Sequence, residues 1–194
     1  GIPHTRVYSL TCSDEAEALV GAAVDRFAEA VKAGRDPDNY VFFLGRENFP
    51  ATYGAKAYSL EQAQVVRDHA QPAVVIAASG ALLGQALAAA QTLSAAGTET
   101  VVINPAIINH PDVRTFKTHL ERAGGRLVTV EDHQLIGGMG AMLTHALLQE
   151  GTALKVRSLG VHGEFGQSAY NAIELYKKHG LDADAIVKAV RSLL

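Results

Sequence analysis

A single cysteine, Cys12, stands in 194 residues, so no internal disulfide framework is available to the chain, and the lone thiol fits a reducing compartment. Cationic clusters are missing as well. Lysine and arginine number 17 against 20 aspartates and glutamates, a formal charge of -3, which argues against nucleic acid or an anionic membrane as partner, since both require grouped Lys and Arg. The most apolar stretch, Ala73 to Ala96, is broken by Ser79, Gly80, Gly84, Gln85, Gln91, Thr92 and Ser94, whereas a membrane span needs about 20 predominantly apolar residues. Position 1 is glycine instead of an initiator methionine, and no basic start, apolar run and small-residue cleavage site follow it. The expectation is therefore a cytoplasmic piece of a longer protein. Metal-ligand spacing is absent from His4, His69, His110, His119, His145 and His179, and no Walker-type lysine loop or full dinucleotide fingerprint occurs.

What remains is 48% hydrophobic and 19% charged, the composition of a chain folded throughout, and long enough for one sizeable domain or one domain with part of another. Thr5 to Leu10 reads as a strand. Ser13 is the expected N-cap of a helix, with Asp14, Glu15 and Glu17 favoured by the helix dipole. Ala16, Leu19, Val20, Ala23, Val24, Phe27, Ala30 and Val31 follow at helical spacing, until Gly34 and Pro37 stop the helix. Tyr40 to Leu44 is a short continuous apolar run, the pattern of a strand covered on both faces. These three elements make half a sheet, so further strands are expected upstream or on another chain. Periodicity is lost from Gly45 to about Gln71, apart from a possible short strand at Gln64 to Arg67.

Beyond Pro72 the pattern is regular. Strands are expected at Ala73–Ala77, Thr100–Ile103, Leu127–Val130 and Ala153–Leu159. Helices are expected at Ala81–Ala96, Val113–Ala123, Gly138–Gln149, Ser168–His179 and Asp182–Leu194. Such alternation predicts an α/β fold, a mainly parallel sheet with helices on both faces, preceded by a partial α/β unit.

Ligands of parallel α/β sheets bind beyond the carboxyl ends of the strands, which singles out four places. Arg46, after the second strand, has a permanently charged fork that matches phosphate oxygens, or else pairs with Glu47 or a nearby loop. Ala77 to Gly84 offers either a phosphate cradle or a plain helix start with Ser79 as cap; the plain start fits the missing fingerprint better. Glu131, Asp132 and His133, followed by Gly137 and Gly138, hold acid-base groups. Consecutive residues in a strand-end loop seldom converge, however, so capping and domain contacts suit them better, with the glycines allowing close approach of the next helix. Gly160 to Ser168 is a glycine-rich loop in which Ser168 reads as an N-cap. No self-sufficient active site is visible, so no catalytic residue and no metal ligand is assigned within the chain.

Val130-Glu131-Asp132-His133 with Gly137-Gly138-Met139-Gly140, then Glu164-Phe165-Gly166-Gln167-Ser168, then Gly180 to Val187, resemble in that order the C-terminal domain of transketolases. Leu44 to Pro50 is similar to the segment that ends the pyrimidine-binding domain of that family, with Gly45 where serine is more usual. Ser168-Ala169-Tyr170 stands where many relatives have Ser-Gly. The resemblance implies that residues 1–50 are the end of a pyrimidine-binding domain, 51–71 a linker and 72–194 a transketolase C-terminal domain. It also implies an enzyme using thiamine diphosphate with Mg or Ca, bound mainly by parts absent from this chain. Its partner would be a homodimer mate or an N-terminal transketolase portion, and its substrates sugar phosphates between which a two-carbon ketol unit moves. Arg46 matches the family arginine that contacts substrate phosphate. The beta subunit of a 2-oxoacid dehydrogenase, or a deoxyxylulose-phosphate synthase, shares the same domain order. A non-enzymatic binding or assembly module is the reading from another class.

Overall fold

The computed structural model describes residues 2–45, 53 and 57–194, and strands alternate with helices along them. β1 (Thr5–Ser9) and β2 (Asn39–Phe43) pair in parallel with Tyr8 opposite Phe42, and α1 (Ser13–Lys32) supplies the crossover that a parallel pair requires. The start of α1 departs from expectation. Cys12, not Ser13, occupies the N-cap position and its side chain makes no capping bond. Glu15 reaches back instead, accepting from the backbone N–H and the hydroxyl of Thr11, both at 2.7 Å. A carboxylate in the first turn can reach back to the chain that enters the helix, and here it does so fully buried, fixing Thr11 ahead of the cap. The expected apolar face of α1 is divided: Leu19, Ala23 and Ala30 are buried, whereas Val20, Val24, Phe27 and Val31 are exposed.

The larger sheet runs in the order β3-β5-β4-β6-β7, from β3 (Gln64–Arg67), β4 (Val74–Ala78), β5 (Thr100–Asn104), β6 (Arg126–Gln134) and β7 (Lys155–Val161). All neighbours are parallel except β3, which lies antiparallel to β5 with an irregularity between Val65 and Arg67. Along β4 the side chains alternate between two cores. Val74, Ile76 and Ala78 join α2 (Leu83–Ala95) and α6 (Ala183–Arg191) through Leu83, Leu93, Ile186 and Val190. Val75 and Ala77 join α3 (Val113–Arg122) and α4 (Met139–Gln149) through Phe116, Leu120, Leu143 and Leu147. Each such large aliphatic or aromatic side chain contributes about 1.5–3 kcal/mol on burial. The continuous apolar reading of β4 and β5 is thus explained by helices on both faces, as a parallel sheet demands.

Two boundaries near the carboxyl end also differ from expectation. β6 does not stop at Val130 but continues to Gln134, so Glu131, Asp132 and His133 are strand residues and not a loop. α5 (Ala172–His179) begins after Asn171, and Ser168 lies exposed in the preceding loop. Asn171 wins because Glu174 completes a reciprocal cap: the Glu174 N–H donates to Asn171 Oδ1 at 3.1 Å and the Asn171 amide donates back to Glu174 Oε1 at 3.3 Å.

The β1–α1–β2 unit is fastened to the loop after β5. Ser9 N–H donates to the Ala106 carbonyl at 3.0 Å, and Ile108 N–H to the Val7 carbonyl at 2.7 Å. The Asn109 side chain accepts from Val7 N–H and donates to the Thr5 carbonyl. Tyr8, Leu10, Leu19, Ala23, Leu60, Ala106 and Ile107 form a third, smaller core at this contact.

Candidate functional site

Strand alternation decides the fate of the acidic pair on β6. Glu131 points inward and is 2% exposed, whereas Asp132 and His133 are exposed, so the three residues do not converge. The Glu131 carboxylate sits over the start of α4 and accepts from the backbone N–H of Met139 at 2.6 Å and of Gly140 at 2.9 Å. Those amides begin a helix and have no partner within it, and the helix dipole favours a negative charge there. Burial pushes the Glu131 carboxyl up from its ordinary range, and the two amides pull against that shift. Gly138 and Gly140 are required by this contact. A Cβ on Gly138 would strike Glu131 Oε2 and the Gln134 carbonyl, and one on Gly140 would strike Thr129 Oγ1. The structure therefore brings Glu131 and Gly138 together as a clasp between β6 and α4. Gly137, at φ 76°, makes the left-handed turn leading into it.

The neighbouring loop is held by one amide. Gln134 donates from Nε2 to the Glu164 carbonyl at 2.8 Å and accepts from Gly163 N–H at 2.7 Å. Beyond these contacts Phe165 and Tyr170 are 97% and 98% exposed, and Ser168, between them in sequence, is exposed as well. The Ser79–Gly80 turn is closed as a phosphate cradle. Ser79 N–H is spent on the Val130 carbonyl, and a Cβ on Gly80 would meet Ser9 Oγ, so β1 occupies the space above the turn. Arg46 lies outside the described residues.

Sequence reasoning missed a buried polar junction between the two units. Asn104, at the end of β5 and fully buried, donates from Nδ2 to Glu15 Oε1 at 2.8 Å, while its Oδ1 accepts from Ala106 N–H at 3.0 Å. The Tyr53 hydroxyl bridges Thr11 Oγ1 at 2.6 Å and Gln64 Oε1 at 3.0 Å, and receives the Asn104 amide at 3.2 Å. Burial raises the Tyr53 phenol to about 12, so it remains a donor across the neutral range. One signal was available: Asn104 is polar at the end of an otherwise apolar strand that continues into Pro105.

Among the described residues no three His, Cys, Asp or Glu side chains group as metal ligands. An open depression of about 550 Å³ lies at the opposite edge, before β4 and β5, lined in part by His69, Pro72, Glu99 and Arg122. At the carboxyl ends of β4, β5 and β6, where ligands of such sheets bind, Ser79, Asn104 and Glu131 are engaged by the chain's own contacts.

The family model described as the transketolase C-terminal domain matches residues 62–186. Transketolase of Mus musculus is 32% identical over 158 residues, covering 81% of this chain and 23% of that protein. The 1-deoxy-D-xylulose-5-phosphate synthase of Heliobacterium modesticaldum is 34% identical over 120 residues, covering 62% of this chain and 18% of that protein. Among solved structures, a split gene transketolase described as an inactive beta4 tetramer superposes with a TM-score of 0.83 at 24% identity, over all of this chain and 58% of that one. This last likeness concerns the fold alone. The matched segment spans about a quarter or less of the curated relatives' length.

Proposed function

Because this chain belongs to the transketolase C-terminal domain family, we propose that it is the carboxyl-terminal part of a thiamine-diphosphate enzyme moving a two-carbon ketol unit from a ketose phosphate to an aldose phosphate. Its own share is scaffolding and assembly, with a substrate-phosphate contact through Arg46. The carrying observation is that the ends of β4 and β6 are closed from within, by Ser9 against Gly80 and by Glu131 on the α4 amides.

Thiamine diphosphate, when bound, supplies the carbanion chemistry of such an enzyme. The described residues do not fit it. At the Ser79–Gly80 turn the Ser79 N–H is taken by the Val130 carbonyl and Ser9 lies against Gly80, and the buried Glu131 carboxylate is engaged by helix amides. The cofactor and its Mg or Ca therefore belong to other parts of the enzyme, in the same polypeptide or in a paired subunit, within the cytoplasm. Residues 1–50 complete a pyrimidine-binding domain in this reading, 51–71 link, and 72–194 form the C-terminal domain.

Arg46 follows Gly45 in the sequence, and a guanidinium can hold a dianionic phosphate by paired hydrogen bonds. In the complete enzyme, Arg46→Ala should raise KM for phosphorylated sugars far more than for unphosphorylated ones. Equal effects on both would remove this role. The synthase relative favours a second reading, in which the complete enzyme is a deoxyxylulose-phosphate synthase. Assays with pyruvate and with xylulose 5-phosphate separate the two.

A further inference from the structure

Two non-glycine residues among those described carry a positive φ, and their settings differ. His4 is exposed, and histidine is among the side chains that tolerate the left-handed region. Ala106, at φ 51°, is 2% exposed, and alanine has no polar side chain to offset the crowding of its Cβ. The Ile107 N–H donates across it to the Pro105 carbonyl at 2.6 Å, a three-residue turn whose left-handed centre makes it the rarer and more strained of its two forms. Such a backbone persists only where the surroundings over-determine it. Here the restraints come from the β1–α1–β2 unit. The Ala106 carbonyl accepts from Ser9 N–H at 3.0 Å, the Ile108 N–H donates to the Val7 carbonyl at 2.7 Å, and Ile107 shares a core with Tyr8 and Leu19. The Ala106 N–H donates to Asn104 Oδ1, and the amide of that same side chain is held by Glu15 on α1.

We propose that residues 104–108 are a strained latch with two states. Ala106 is left-handed while the β1–α1–β2 unit is seated on the larger sheet, and it relaxes to negative φ when that unit lifts. Because the strain belongs to the seated form alone, the seam opens more readily than its hydrogen bonds would otherwise allow. Glu15 and Asn104 are the catch, since together they fix the N–H on one side of Ala106 while β1 fixes the carbonyl on the other. The same backbone runs on to Asp112, which caps α3 and also accepts from the Ala63 N–H. Seating of the first unit therefore biases the chain that enters α3, and a change there biases the seating in return. The device is independent of the chemistry of the complete enzyme.

Ala106→Gly in the full chain removes the left-handed penalty, and native-state hydrogen exchange at low urea reads the two regions separately. Local opening of the β1 and β2 amides should slow about fivefold or more, because only the seated state is relieved. Unchanged local opening, with or without slower exchange in β4 and β6, means that the turn keeps its form in both states. Faster opening means that Ala106 carries no strain. Exchange of β1 and β2 only together with β4 and β6 means that the seam never opens by itself. Each of these three results overturns the proposal. Asn104→Leu frees the Ala106 N–H, so combining it with Ala106→Gly should remove most of the gain that the glycine gives alone. An undiminished gain would take Asn104 out of the catch, and the latch with it.

Discussion

The two sheets of this molecule come from the same kind of sequence, short apolar strands joined by amphipathic helices, yet they end in different states. In the five-stranded sheet every residue of β4 and β5 is buried, because helices from later in the chain reach both faces. In the two-stranded unit β2 alternates between half-buried and exposed residues, and α1 covers one face only. The difference teaches that an apolar run reports how much cover a strand is built for, not how much it receives from its own chain. Tyr40-Val41-Phe42-Phe43-Leu44 is written for two covered faces, and here it has one.

The sharpest way to break the comparison is to place the same charge in both regions. Ile76→Asp in β4 buries an unpaired carboxylate and should cost about 4 kcal/mol or more, enough to abolish cooperative unfolding, whereas Val24→Asp on the outer face of α1 should change stability by about 0.5 kcal/mol or less. Urea titration of the two variants reads both. Next in size, Glu131→Ala strands two buried amides at the start of α4 and should cost about 2–4 kcal/mol, with faster hydrogen exchange at Met139 and Gly140. A smaller and more local effect is expected at the seam between the regions. Asn104→Leu removes the donor to Glu15 and the acceptor for Ala106 N–H, at about 1–3 kcal/mol, and exchange should accelerate over residues 5–43 while β4 and β6 stay protected.

The smallest effect is a pH dependence confined to the larger region. His119 on α3 is buried against Arg122 and 3.5 Å from Asp68; burial lowers its imidazole below the ordinary 6.5, with Arg122 adding to the shift and Asp68 opposing it. A depressed folded value means that its contribution to stability is present above 6.5 and lost as pH falls toward the folded value, since the unfolded chain takes up the proton first. Melting curves between pH 7 and pH 5 should show a decline that His119→Gln flattens.

Much of the larger region is legible from the residues alone, because strand runs such as Val74–Ala78 and helix periods such as Val113–Arg122 are local signals that tertiary packing reinforces. Even the role of the Gly137-Gly138 pair is readable, since a glycine before a helix at a strand end announces a close approach. The candidate site is far less so. Glu15 looks like a surface acid placed for the helix dipole, and only the distant arrival of Asn104, 89 residues later, makes it a buried acceptor. Glu131 looks like a loop residue because β6 carries charge past its apolar stretch, and nothing local shows that β7 continues the ladder to Gln134. Ser168 and Asn171 are both good caps by type, and the reciprocal bond with Glu174 selects the second.

The bonds from β1 to the loop after β5 carry a consequence for how the protein comes into being. Val7 and Asn109 are 102 residues apart in sequence, so β1 can pair with nearby β2 well before it can make its bonds to the loop after β5. Closing so large a loop is entropically costly, and it becomes favourable only once β5 and the loop after it are in place. The β1–α1–β2 unit is therefore expected to be fastened against the larger sheet late in folding, a side arm that waits for the body of the fold to exist.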